Sequence, residues 1–300
     1  MLERIMDLRV FVIALALPLA ACGDGAVNST PPPPTPTPTP APTYIKIADL
    51  TATTTFQTAA VHWQASATGI AGQGADAFGN TLTVTFDPAA GSYVINAPGP
   101  ITGSFGPADT DPLGTSGNVH AYVKNTPTGQ QRLRVTLPTV GGVPLNYLIF
   151  GTFLDGSGGV SRSWTAVGGS PTVASDMPKT GTATYTAETS ANVLSGGTVY
   201  TTTSASTASF SANFGTGAIT TTLHLFGAPS GSSTATDFGT FSGTGTIAAG
   251  NPGFTGTFTG TTGAGFAGAF FGPQAAEMGY VYNFSNGTIE VFGGTAGKKN

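Results

Sequence analysis

The sequence predicts an all-β protein whose C-terminal part is an eight-stranded antiparallel barrel, and three observations predict it. Only 8% of the 300 residues are charged, against ~25% in an average soluble domain. Glycine occurs 44 times and threonine is abundant, while helical signals at 3.6-residue spacing are almost absent. Between Gly181 and Gly293, short alternating segments follow one another at even spacing: Thr182–Glu188, Thr198–Thr203, Ala208–Phe214, Ile219–Phe226, Phe238–Ile247, Phe254–Phe258, Gly265–Phe271, Met278–Phe284 and Thr288–Phe292. Antiparallel strands so spaced close into a barrel, because closure removes the edges that otherwise aggregate.

The N-terminus reads as a leader. Val10 to Ala21 is an apolar run of about a dozen residues, too short for the ~20 that cross a bilayer as a helix. It ends in Leu19-Ala20-Ala21-Cys22, a bacterial lipobox around the chain's one cysteine. Residues 1–21 are therefore a signal peptide, and Cys22 is the lipid-attachment residue. Acyl chains contribute ~0.8 kcal/mol per buried CH₂, and more than one chain gives stable anchoring. Gly23, rather than Asp, follows the cysteine, which directs the protein to the outer membrane. The leader's charges, Glu3, Arg4, Asp7 and Arg9, cancel, and Met6 is an alternative initiator.

Residues 22–43 are a linker, and Pro31 to Thr43, PPPPTPTPTPAPT, favours extended polyproline II. At ~3.1 Å per residue that spacer reaches roughly 40 Å, which lifts the folded part off the membrane. Residues 44–168 form a first β domain. Leu82–Phe86 and Ser92–Ile95, joined by Asp87-Pro88-Ala89-Ala90-Gly91, read as a hairpin. Arg132–Leu137 and Tyr147–Phe153 are further strands, and Asp155-Gly156-Ser157-Gly158-Gly159 is a hairpin tip. A turn-rich passage from Gly168 to Pro178 leads into the barrel domain, 169–300. Thr182, Thr184, Thr186 and Glu188 alternate with Ala183, Tyr185 and Ala187, which gives a polar outside and a packed inside rather than a lipid-facing wall.

Chemistry is sparse. His62, His120 and His224 are scattered without metal-ligand spacing, and the lone cysteine is taken by lipid. Asp109-Thr110-Asp111 lacks the glycine turn and distal Glu of a calcium loop and reads as loop structure. No G-x-S-x-G nucleophile context occurs. The net charge of −4 without basic clusters excludes nucleic acid. No catalytic residue, cofactor or metal is predicted.

The run Gly265-Phe266-Ala267-Gly268-Ala269-Phe270-Phe271-Gly272-Pro273-Gln274-Ala275-Ala276-Glu277-Met278-Gly279 resembles the G-x-F-x-G-P-x-A-x-E-x-G-G signature of the transferrin-binding protein B family of surface lipoproteins, with Tyr280 in place of the usual second glycine. Leu145–Gly151 resembles the family's Y-x-x-F-G strand, and Gly169 to Tyr185 resembles its approach to the barrel; together the likeness spans Tyr147 to Gly293. The resemblance implies a handle-like β domain followed by an eight-stranded barrel, as in one lobe of that family. It also implies a lipid-anchored, outer-membrane, surface-exposed binding protein that captures a solute, host or iron-source protein and hands it to an outer-membrane transporter. A structural or adhesive envelope role is the alternative, and the ligand-binding residues are not legible. Within the signature, Gly265, Gly268 and Gly272 allow bends or close approach, and Phe270 and Phe271 point to opposite faces. Pro273 ends the ladder, and Glu277 is placed to accept backbone N–H bonds.

The lipobox makes a direct prediction. Cys22→Ser is expected to abolish acylation and release the protein from the outer membrane in fractionation experiments. A variant that still sediments with the outer membrane as the wild type does contradicts it.

Overall fold

The computed structural model describes residues 41–66, 69–80 and 82–300. Cys22 and most of the Pro/Thr spacer lie outside these. The strands are β1 (Thr54–Ser66), β2 (Gly69–Asp76), β3 (Thr83–Asp87), β4 (Ser92–Asn96), β5 (Thr102–Phe105), β6 (Val119–Thr126), β7 (Gly129–Thr136), β8 (Thr139–Val140), β9 (Val143–Pro144), β10 (Leu148–Asp155) and β11 (Ser161–Gly169). After the turn passage come β12 (Thr182–Ser195), β13 (Thr198–Thr202), β14 (Thr207–Asn213), β15 (Ala218–Pro229), β16 (Thr236–Ile247), β17 (Gly253–Phe258), β18 (Thr262–Phe271), β19 (Glu277–Ser285) and β20 (Ile289–Lys299).

The first sheet has the order β5-β4-β3-β1-β11-β10-β7-β6, with β2 also on β1. β1 is long enough to serve two partners along one edge: Thr54–Gln57 pairs with β3, and Ala60–Ser66 pairs with β2. The expected hairpin is β3–β4, in the register Val84↔Ile95. Its turn is closed by Asp87 Oδ1, which accepts from the N–H groups of Ala89 and Ala90 at 3.0 and 3.2 Å. The sheet curls until its two ends almost meet. There, Lys124 Nζ donates to Ser104 O at 2.8 Å and Gln131 Nε2 donates to Thr102 O at 2.9 Å, so side chains bridge where ladder bonds are missing. Phe105, Phe153 and Trp164 fill the inside, with the Phe153 and Trp164 rings stacked 5.8 Å apart.

The second sheet is a closed eight-stranded antiparallel barrel, β12-β14-β15-β16-β17-β18-β19-β20, sealed by β20 against β12 from Tyr185↔Lys299 to Ser195↔Ile289. All nine expected segments are strands. The ninth, β13, fits beside the far end of β12 (Leu194↔Val199) and the end of β15 (Thr201↔Ala228), covering edges that the shorter β14 leaves free. β12 and β20 run well past the expected Glu188 and Phe292. In β20 this extension contains Gly293, Gly294 and Gly297, whose missing side chains make room for neighbours. A Cβ on Gly293 would lie 2.7 Å from the Tyr282 ring, and one on Gly294 would lie 2.8 Å from Phe150.

The barrel interior is solid. Phe254, Phe266, Phe270, Tyr280, Tyr282 and Phe284 are fully buried within it. Phe266 lies against Gly256, where a Cβ would come within 2.2 Å of its ring. The tyrosine hydroxyls find partners inside: Tyr280 with Thr221 at 2.7 Å, Tyr282 with Thr189 at 2.6 Å. Burial raises the Tyr280 pKa to about 12, so this hydroxyl keeps its proton.

A third apolar cluster lies between the two sheets. Ala267, Ala269, Phe271, Val281 and Ala296 on the outside of the barrel meet Ala59, Val61, Leu148 and Val167. Residues 41–300 accordingly form one compact unit.

A fragment beginning at Pro171 is expected to keep a β-rich circular dichroism spectrum, because the closed ladder and its core lie wholly within 182–299. It should also bind a hydrophobic dye and self-associate through the uncovered Phe271 face. A disordered fragment contradicts the first expectation, and a monomeric, dye-silent one the second.

Candidate functional site

The signature turn is built as a clasp. β18 ends at Phe271, and Gly272 (φ 70°) turns the chain so closely beneath Tyr147 that a Cβ would sit 2.4 Å from its ring. Phe270 points into the barrel and Phe271 into the interface between the sheets, as the alternation requires. Gln274 and Ala275 both take positive φ, 51° and 56°, an uncommon state for non-glycine residues that needs outside support. Asp176 Oδ2 accepts from the Gln274 N–H at 3.0 Å and from the Tyr44 hydroxyl at 2.8 Å, and Ala275 O accepts from Tyr185 at 2.8 Å. Burial opposes ionisation of Asp176, but these donors outweigh it and hold the carboxyl below its ordinary range.

Glu277 follows this turn and is 2% exposed. Its Oε1 accepts from the Asn146 N–H at 2.7 Å and its Oε2 from the Tyr147 N–H at 2.8 Å. The carboxylate thus satisfies, from the barrel side, two backbone donors in the bend that leads into β10 of the first sheet. Burial pushes its pKa up, against the pull of the two N–H groups and of nearby Lys298. Its role is structural, as expected.

The other singled-out residues are spread apart. His62 Nδ1 pairs with Asp76 at 2.9 Å, and His224 Nε2 pairs with Asp237 at 3.0 Å; His120 is exposed on β6. Asp109 accepts from the Gly106 N–H and Asp111 from the Leu113 N–H, so both shape their own loop. Asp155, at the hairpin tip, is 3% exposed and accepts from Gln131 and Ser157. Among the described residues no cluster of His, Cys, Asp or Glu has the arrangement of a metal site.

What the sequence reading did not find is a cleft of 970 Å³ between the outer faces of the two sheets. One wall is β6, β7 and β10, and the other is β12, β13 and β20. At its base Trp63 and Phe292 meet with ring centroids 6.0 Å apart. Glu188, on the barrel, accepts from the Gly141 N–H in the turn of the separate β8–β9 hairpin at 2.6 Å and ties that hairpin to the barrel wall. Arg132 and Arg134 project from β7 into the cleft, exposed between buried Leu133 and Val135. That alternation in Arg-Leu-Arg-Val was a signal for outward guanidinium groups, but nothing in the sequence showed what they face.

Residues 177–299 match the family model described as the C-lobe and N-lobe beta barrels of Tf-binding protein B. The match covers the barrel and leaves the strands of the first sheet outside, so it is narrower than the expected span from Tyr147. A search of curated proteins finds no match. Among solved structures, a transferrin binding protein B double mutant from Haemophilus parasuis Hp5 is similar at 16% identity and a TM-score of 0.42, over 75% of this chain and 54% of that one. The isotype 1 transferrin binding protein B from serogroup B Neisseria meningitidis is similar at 15% identity and a TM-score of 0.41, over 81% and 43%. The chain spans about half the length of these structures.

Glu277→Ala removes, from a buried position, the acceptor of two partly buried N–H groups and is expected to cost ~1–3 kcal/mol in chemical denaturation. The pH dependence has a definite sign. The folded chain holds the Glu277 proton more tightly than the unfolded chain does, so this group's contribution is full below the ordinary Glu pKa and declines as pH rises through the raised one. Glu277→Gln should remove that slope from a stability-versus-pH series, and identical slopes would contradict the assignment.

Proposed function

We propose that this chain, whose barrel is of the transferrin-binding protein B type, is a lipid-anchored outer-membrane protein that captures a host or iron-source protein at the cell surface. It binds rather than catalyses, and it presents its cargo to an outer-membrane transporter. Lipid on Cys22 holds it to the membrane, and the Pro/Thr spacer gives it reach.

The observation that carries this reading is the filled interior of both sheets. Phe254, Phe266, Phe270, Tyr280, Tyr282 and Phe284 occupy the barrel, and Phe105, Phe153 and Trp164 occupy the first sheet. A barrel of this size either fills with side chains or encloses one small ligand, and here side chains occupy the space. Recognition therefore belongs to outer surfaces and loops on a rigid frame. The 970 Å³ cleft is a large concave surface of that kind. These features favour a macromolecular partner over a small solute.

The test is surface plasmon resonance with the leaderless chain, using purified iron-loaded transferrin and lactoferrin as probes. Saturable binding to at least one, with Kd of ~10 µM or tighter (about −7 kcal/mol), is expected. No binding to either by a folded protein would overturn capture of these iron carriers and favour the structural or adhesive role.

A further inference from the structure

The cleft carries charge of both signs in equal number. Arg132 and Arg134 are exposed on the β7 wall, Glu188 is exposed on the barrel wall, and Asp111 is half-buried in the loop between β5 and β6. Among the described residues none of these four forms a salt bridge. Two guanidinium groups and two carboxylates therefore line one space with no net charge. Among them lie uncharged hydrogen-bonding groups: Thr152 and Thr165 on the first sheet, and exposed Ser190, Asn192 and Thr201 on the barrel side. Asn192 Oδ1 accepts from Thr201 at 3.2 Å, which leaves its Nδ2 to donate. The floor is aromatic, with Trp63, Phe292 and Phe150 all half-buried.

We propose that the cleft holds a short neutral oligosaccharide carried by the captured protein. A pyranose is uncharged, its C–H face is apolar, and its hydroxyls project around the edge as neighbouring donor and acceptor groups. The C–H face lies on Trp63 and Phe292, while the planar guanidinium, carboxylate and amide groups of the walls each take two adjacent hydroxyls. A volume of 970 Å³ accommodates a short chain of such rings. Other occupants fit less well. An ion of either sign that pairs with one wall meets its own sign elsewhere in the cleft. An acyl chain covers the rings but strips water from polar groups on both walls without replacing it. An added β-strand needs free backbone N–H and C=O groups, whereas β7, β10, β12, β13 and β20 are each paired on both sides. Those strands offer an occupant side chains, and the side chains suit a sugar.

The proposal rests on the reading of the chain as a binding protein, and its test fails separately from that reading. Mannotriose, cellotriose, maltotriose and triacetylchitotriose are titrated against the leaderless chain by calorimetry, with glucosamine trimer and sialyllactose as cationic and anionic controls. At least one neutral sugar is expected to bind with Kd of ~1 mM or tighter, and at least ~10-fold tighter than either charged control. It should also shift the tryptophan emission. Trp63→Phe should abolish that shift and keep the binding, because the chain's other tryptophan, Trp164, is buried inside the first sheet. Trp63→Ala and Arg134→Ala should each weaken binding ~10-fold or more. Arg134 is exposed, so its substitution leaves the fold intact, which circular dichroism checks. The same sugar coupled to albumin should compete with the free sugar. A Kd weaker than ~1 mM for all four neutral sugars, equal or tighter binding of a charged control, indifference to Arg134→Ala, or exclusion of the albumin conjugate each overturns the proposal. If no neutral sugar binds and an iron carrier still does, the cleft assignment falls while the binding function stands.

Discussion

The carboxylate of Glu277 is the constraint on which the rest of this architecture turns. It leaves the barrel immediately after a tight Gly-Pro turn and accepts the N–H groups of Asn146 and Tyr147, which no sheet ladder satisfies. A buried carboxylate needs donors, and these two partly buried N–H groups supply them. The position of the first sheet on the barrel is therefore set by directional bonds as well as by the non-directional burial of Phe271, Val281 and their partners. Tyr147 is held on several sides: its N–H by Glu277, its carbonyl by the Ser170 N–H, its ring by the bare backbone of Gly272. The cleft depends on this arrangement, since its walls come from different sheets and its width is the distance at which the clasp holds them.

The barrel relies on a trade between aromatic rings and glycines. Ten aromatic side chains, among them Phe254, Phe266 and Tyr282, pack inside eight strands. The wall can accommodate them where glycine leaves it thin, as at Gly256 beneath Phe266 and Gly293 beneath Tyr282. Gly265 (φ 77°) permits the irregularity in β18, and a Cβ on Gly268 would collide with Gly279 O at 2.3 Å. A composition so rich in glycine and so poor in charge is what this construction requires.

Strands with an alternating or aromatic pattern between turn signals were legible in the sequence, even β18 and β19, which are buried on both faces; strands whose two buried faces are built largely from small residues were not. β3–β4 and β14 to β19 announce themselves by alternation and turn residues. β1 does not, because Ala60 faces the interior of the first sheet while Ala59 faces the barrel, which erases the polar side. β11 has the same difficulty at Ala166 and Val167. The end of β20 reads as a loop because Gly293-Gly294-Thr295-Ala296-Gly297 has low strand propensity, and only the tertiary neighbours explain those glycines. Glu277 was legible because its partners are generic backbone groups beside a tight turn. The cleft was not, because Arg134 and Val199 acquire a common environment only when two separately patterned sheets are docked.

The seam of the barrel has a consequence for how the molecule is made. β12 opens the barrel in chain order and β20 closes it, each being the other's ladder partner along most of its length. A chain that emerges from the ribosome with its N-terminus first presents β12 and then must wait for all the intervening hairpins before the seam can form. Until then β12 shows an open edge. Contacts so far apart in sequence slow folding, because the loop between them has to be ordered first. The barrel therefore remains unsealed until β20 has been made, and the step that completes the ring needs every strand before it.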